Sequence, residues 1–251
     1  MFQKNLPVKR KEFIKKASSV LAAGPLALMA CQKIGEDVSA TSSPIPPSSS
    51  GTSSAACAIT DAEEVGPFPL YTKRDTSIQH VDITEGKTGI PLAIALQINQ
   101  VNKNCTALPD VQVVIWHCDK DGYYSGYTNN GYLGNQDNTT KTFCRGMGTT
   151  DAQGIVRFKT IYPGWYQGRA THIHAQIYVG GNLKLSTQFA FPEEINAWVH
   201  DSVLYKPHGQ NPTKNTNDNV FRDSIAREMA NLSPNVTTGG YDLSYSINVS
   251  I

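Results

Sequence analysis

The sequence predicts an all-β chain, a β-sandwich with long loops and little helix. Three observations carry this expectation. Short runs of alternating apolar and polar residues recur from Leu92 to the C-terminus. Turn signals rich in Gly, Asn, Asp and Pro separate them. Only Val220 to Leu232 shows a helical period, with Phe221, Ile225 and Met229 four apart. Short strands at such spacing pack as two facing sheets, with function on the loops at their edges.

Residues 1–30 read as an export signal of the lipoprotein type. Lys4, Lys9, Arg10, Lys11, Lys15 and Lys16 precede the apolar run Ala17 to Ala30, which is broken by Gly24 and Pro25. The run is too short to span a hydrocarbon core of roughly 30 Å. Leu28-Met-Ala-Cys31 resembles a bacterial lipobox, which makes Cys31 the expected lipidation site; an ordinary cysteine near a cleavage site is the alternative. Arg10-Lys-Glu-Phe-Ile-Lys15 resembles a degenerate twin-arginine signal. Residues 31–56 form the expected tether, because Ser, Thr and Pro dominate from Val38 to Ala56 and cannot bury a core. The only membrane association expected is through this N-terminal anchor, which places the chain in the periplasm or at the cell surface.

The folded domain is expected over residues 57–251. The 251-residue chain has 22 basic and 21 acidic residues, but six of the basic ones and one acidic one lie in residues 1–30. From Cys31 onward, 16 basic residues face 20 acidic ones, a net charge near −4. That balance excludes the basic face of a nucleic-acid binder. Besides Cys31 the chain holds Cys57, Cys105, Cys118 and Cys144. An even count in an exported chain predicts two disulfides, with three possible connectivities. Free buried thiols are the alternative, and no Cys-x-x-Cys pair supports a zinc cage.

In chain order, the expected strands begin with Pro91–Asn99 and Val111–His117. Ile155–Lys159, Thr171–Val179 and Leu183–Phe191 follow, with a hairpin turn at Gly180-Gly-Asn182. Tyr241–Ser250 alternates strictly and closes a sheet. The Gly/Asn/Thr/Tyr-rich stretch Tyr123–Lys141 is too long and polar for a simple hairpin loop; it is either an active-site wall or a surface excursion.

The richest segment chemically is Tyr162-Pro-Gly-Trp-Tyr-Gln-Gly-Arg-Ala-Thr-His-Ile-His174. In a strand, His172 and His174 share one face and Ile173 points to the other. Two imidazoles side by side form half of a metal site. Taken singly, His-x-His is a common strand feature, Tyr166 an ordinary sandwich tyrosine and Arg169 a solvated charge. A 2-His-1-carboxylate site lacks a clear carboxylate. His117, beside Trp116 in a core strand, reads as structural; His80, His200 and His208 have no evident partners.

Two further blocks accompany this segment: Trp116-His-Cys-Asp-Lys-Asp-Gly-Tyr-Tyr-Ser125, and Arg145-Gly followed by Thr150-Asp-Ala-Gln-Gly-Ile-Val-Arg-Phe158. Together and in this order they resemble the intradiol ring-cleavage dioxygenases, over roughly residues 57–250. The resemblance implies a β-sandwich holding one Fe(III) per chain through Tyr124, Tyr166, His172 and His174, with Tyr123 left to packing. It implies that Tyr166 is the ligand that leaves and takes a proton, and that Arg169 stabilises charge on the substrate carbons. Gln188 is expected to line the site, and Gly66, Pro67, Phe68 and Trp165 the substrate pocket. The implied reaction takes a catecholic small molecule and O2 to a cis,cis-muconate-type diacid. Ligand hardness agrees, since a hard ferric ion favours anionic oxygen and can strip a phenol whose ordinary pKa is near 10. The resemblance is closest to a secreted branch, and it lacks the helical dimerisation segment of familiar members, leaving the oligomeric state open. The rival readings are a non-catalytic surface lipoprotein binding a glycan or protein over a relic metal site, and a hydrolase of the same fold using another metal.

Overall fold

The computed structural model describes residues 57–70 and 77–251. The expected signal, Cys31 and the tether lie outside the described residues. Among the described residues no helix is long and apolar enough to cross a membrane.

Two sheets form the body. In the first, β1 (Pro91–Gln100) pairs in parallel with β11 (Gly240–Val249), which pairs in turn with β10 (Asn231–Asn235). Along its other edge β1 meets β7 (Ile155–Ile161) and, at its end, the short β2 (Thr106–Ala107). The second sheet runs β6 (Arg145–Thr149), β3 (Gln112–Trp116), β8 (His172–Val179), β9 (Asn182–Ala190), all antiparallel. A separate hairpin joins β4 (Thr128–Gly131) and β5 (Gly134–Asp137).

The alternation in the sequence explains the layering. On β1, Leu92, Ile94, Leu96 and Ile98 point inward, while Pro91 and Ala93 face solvent. They meet Val113 and Ile115 of β3, Ile173, Ala175 and Ile177 of β8, and Phe189 of β9 in one core between the sheets. At about 2–5 kcal/mol per large residue truncated, this core is the main source of stability.

The second sheet is buried on both faces. β8 is buried at seven consecutive positions, His172 to Tyr178. Antiparallel sheets commonly leave one face to water; here loops cover it. The covered face carries Val114 and Trp116 of β3, Met147 of β6 and Tyr178 of β8, packed against Ile78, Cys118, Tyr124 and, at the margin, Val65, Phe68 and Tyr166. His172 and His174 sit on this same face.

Three expectations are corrected. A helix, α1 (Glu193–Asp201), follows Pro192; its start signal, Pro then two acidic residues, is present in the sequence. The helix expected over Val220–Leu232 shrinks to one turn, α2 (Ile225–Glu228). Its end is drawn into extended pairing with β9 instead: Met229 bridges Ala190, and the Ala230 amide donates to the Ala190 carbonyl at 2.9 Å. Of the two expected disulfides one forms, Cys57–Cys105. Cys118 and Cys144 are free and buried. Their side chains enter different apolar clusters, Cys118 beside Trp116 and Tyr124, Cys144 beside Phe143 and Ile161.

Candidate metal centre and substrate cavity

Four side chains converge on the loop-covered face. Nε2 of His172 and Nε2 of His174 lie 3.1 Å apart. The Tyr124 hydroxyl is 3.3 Å, and that of Tyr166 3.4 Å, from the same His172 nitrogen. His172 Nδ1 donates to the Ala170 carbonyl at 2.6 Å, which leaves Nε2 as the acceptor. A single lone pair cannot satisfy three neighbours. The four atoms lie close enough to serve together as a candidate donor set, or cage, for a cation. Among the described residues no group of three His, Cys, Asp or Glu could hold a metal, so a metal here has to draw on the phenols. Two imidazoles and two phenol oxygens fit a hard trivalent ion better than a soft one.

Each member is held in place by its neighbours. Trp116 stacks on the His174 ring, centroids 4.8 Å apart and planes within 2°. Gly66, at φ 72°, also packs close to this ring, and a Cβ there would sit 3.0 Å from His174 Cε1. Phe68 stacks on Tyr124 at 4.4 Å. Arg145, 1 % exposed, donates to the Phe68 carbonyl and the Ser125 carbonyl, both at 2.9 Å, and so ties the 57–70 segment to the turn bearing Tyr124. Tyr123 points away, as expected, donating to the Gly134 carbonyl under the β4–β5 hairpin.

Burial sets the protonation states. It lowers the pKa of His172 to about 3, with Arg169 adding to the effect, and that of His174 well below the usual value. Both imidazoles are thus neutral, the form that binds metal. Burial pushes the Tyr166 phenol up to about 12 and the Tyr124 phenol well above its ordinary value, so each stays protonated unless a cation draws off its proton. The two tyrosines differ in access: Tyr124 is fully buried, whereas Tyr166 is partly exposed and lines a cavity of about 410 Å³.

Arg169 flanks the cage. Its Nε donates to Asp218 Oδ2 at 2.9 Å and its other end to Gln188 Oε1 at 2.6 Å. Burial opposes its charge, but Tyr166 and Asp218 outweigh that and raise its pKa. Asp218 also accepts from the amides of Ala170 and Val220. Gln188 stands opposite His174 on β9 and donates to the Glu64 carbonyl at 2.7 Å. Asp218 escaped the sequence reading, because Arg169 lies 49 residues away; Arg145 was named there in a motif block but without a role, since its partner Phe68 lies 77 residues away.

Of the four expected pocket residues, Trp165 lines the cavity. Gly66 and Phe68 stand behind the ligands instead, and Pro67 is exposed. The stretch from Tyr123 to Lys141, expected as a loop too polar for a simple hairpin, folds as β4–β5 with Asn130, Gly131 and Tyr132 in the cavity wall. His208, unpartnered in the sequence, stacks between Trp165 and Tyr132 at 4.0 and 4.2 Å. His117 is structural as expected, bound by the Cys118 carbonyl and the Thr160 hydroxyl.

Comparison with known proteins places this geometry. A family model described as Dioxygenase matches residues 67–215, a span that includes all four cage residues, Arg169 and Gln188. A chlorocatechol 1,2-dioxygenase from Pseudomonas putida is 30% identical over 116 residues, 39% of this chain and 40% of that protein; the match thus spans less than half of the relative. An intradiol ring-cleavage dioxygenase from Tetranychus urticae superposes with a TM-score of 0.68 and 25% identity, over 77% of this chain and 95% of that one. A 3-chlorocatechol 1,2-dioxygenase from Rhodococcus opacus shares the fold at a TM-score of 0.52 and 19% identity, over 78% and 75%.

Proposed function

The chain belongs to the intradiol ring-cleavage dioxygenase family, and from that premise we propose that it is an Fe(III) enzyme. It opens the ring of a catecholic compound between the two hydroxylated carbons with O2, giving a cis,cis-muconate-type diacid. The observation that carries this reading is the convergence of two neutral imidazoles and two phenols on one point.

Tyr124, Tyr166, His172 and His174 would hold the ion. Bound there, Fe(III) supplies Lewis acidity that makes a coordinated catechol reactive toward O2. The protein supplies the rest. Tyr166, partly exposed at the cavity wall, would be the ligand with room to move, and its phenol oxygen would be placed to take a proton from a catechol hydroxyl. Tyr124, packed under Phe68 and fully buried, stays. Arg169, fixed by Asp218 and Gln188, holds a positive charge beside Tyr166 and offsets negative charge developing on the substrate ring. Trp116, Phe68 and Gly66 close the rear of the cage and exclude water there.

The lipobox-like Leu28-Met-Ala-Cys31 supports lipidation and export of the chain, and the Cys57–Cys105 bridge suits an oxidising compartment. Metabolic labelling with a palmitate analogue tests this; Cys31→Ser is expected to abolish the label.

The reaction is tested with iron-loaded protein, a panel of catechols and ¹⁸O2. The expected product is a ring-opened diacid carrying two labelled oxygens. Catechols left intact across the panel, with iron bound, would remove the catalytic reading in favour of a binding protein.

A further inference from the structure

The cavity beyond Tyr166 is larger than the reaction alone requires. At about 410 Å³ it falls within the roughly 300–1,000 Å³ of sites that enclose drug-sized ligands, whereas a catechol bound through both oxygens at the cage is a single ring. Its wall is aromatic: His208 is sandwiched between Trp165 and Tyr132, and these three rings and Tyr166 line the cavity. The stack is pinned, since Trp165 Nε1 donates to the Gly209 carbonyl at 3.0 Å and the Tyr132 hydroxyl to Asp121 Oδ1 at 3.0 Å. Asn130 and Gln167 add polar atoms.

The charge pattern selects among ligands. No Lys or Arg is among the residues lining the cavity; Asp121 is its carboxylate, and Lys120 is already bound to it at 2.5 Å. Arg169 is committed to Asp218 and Gln188. An anionic ring substituent would meet Asp121 with no free Lys or Arg to receive it, while an uncharged one meets aromatic rings and amides.

We propose that this cavity is a substituent subsite that selects catechols bearing a second, uncharged ring over carboxylated catechols. The inference rests on the ring-cleavage reading above. It is tested by kcat/KM of the iron-loaded protein for 4-phenylcatechol and 3,4-dihydroxybenzoate, beside calorimetric binding of 4-phenylphenol and 4-hydroxybenzoate, which lack the second hydroxyl. The aryl catechol is expected to lead by about tenfold or more, and Tyr132→Ala to cut that ratio about three- to tenfold through loss of one stacking ring. Tyr132 is 39% exposed at the hairpin tip, so its removal spares the core. Asn130→Lys, which adds a cation to the wall, is expected to shift the ratio toward the carboxylate. A wild-type ratio near one, or a ratio unmoved in both variants, overturns the proposal. If none of these catechols is cleaved, the ring-cleavage reading fails and the binding arm decides. Tighter 4-phenylphenol binding that weakens in Tyr132→Ala upholds the subsite; equal binding of the two phenols overturns it.

Discussion

Within the cage, His172 is the common neighbour, since its Nε2 faces His174, Tyr124 and Tyr166 at once. His172→Ala is expected to lose iron, measured as metal per chain after gel filtration. Arg169→Ala is expected to keep iron while losing most ring cleavage; full turnover would remove Arg169 from the mechanism. Asp218 bears on stability. It is fully buried and neutralises Arg169, whose side chain is 12% exposed. Removing one partner of such a pair typically costs about 3–5 kcal/mol because the other charge is left buried and uncompensated, so Asp218→Ala and Arg169→Ala are both expected to lower the urea midpoint. Three of the four cage residues were legible as a group because His-x-His and the tyrosine of the Pro-Gly turn sit within one short segment, whereas Tyr124 was named only through the family resemblance. Asp218 was not: a lone acid in an Asn-rich loop shows its role only when the fold brings it to Arg169.

At the scale of elements, the site depends on how the turn before β8 meets the loop after β3. Gly164 donates its amide to the Asp119 carbonyl at 3.0 Å, and a Cβ there would strike the Lys120 carbonyl. Neither segment can yield without moving Trp165 and Tyr166. Gly164→Ala is therefore expected to destabilise the fold and to perturb the visible spectrum of the iron-loaded protein, whereas a merely structural defect would leave the spectrum of the folded fraction unchanged. Strand identity was legible where apolar residues alternate against the core, as on β1; β6, built of Arg145-Gly-Met-Gly-Thr149, lacks that alternation and was not expected. It failed where competing contacts decide. The Phe221, Ile225, Met229 spacing describes a helix, yet pairing of Met229 and Ala230 with Ala190 of β9 ends it after one turn. The polar composition of β4 and β5 concealed a hairpin whose order comes from Tyr123 packed beneath it, accepting from the Leu133 amide.

For the molecule as a whole, two features govern stability. The Cys57–Cys105 bridge closes a 48-residue separation between the N-terminal segment and the β1–β2 connection; constraining a loop of that length is worth about 4 kcal/mol in the chain-entropy description. Cys57→Ser is expected to lower the melting temperature accordingly. The second feature is pH. Burial holds His117 and His200 at about 4 and His172 at about 3, against roughly 6.5 in an unfolded chain. A depressed imidazole pKa means that the unfolded state binds more protons below pH about 6.5, so stability is fully present above that value and falls as pH drops toward 4. Each group contributes up to about 1.4 kcal/mol per pH unit in that window. Glu228, raised to about 8 mainly by burial, acts in the opposite sense and favours the fold as pH falls from 8, offsetting one imidazole. Urea midpoints of the metal-free protein are therefore expected to rise slightly from pH 8 to 7 and to fall from 6 to 4, and a profile without that fall would show that the imidazoles are not buried neutral.

Ferric phenolate absorbs visible light by charge transfer, so the most direct single measurement is the visible absorption spectrum of stoichiometrically iron-loaded protein, wild type beside Tyr124→Phe. Two tyrosines on one ferric ion predict a red-brown protein whose band shifts when one of them is removed. A colourless protein with one iron per chain, or a band indifferent to Tyr124→Phe, would contradict the four-ligand centre.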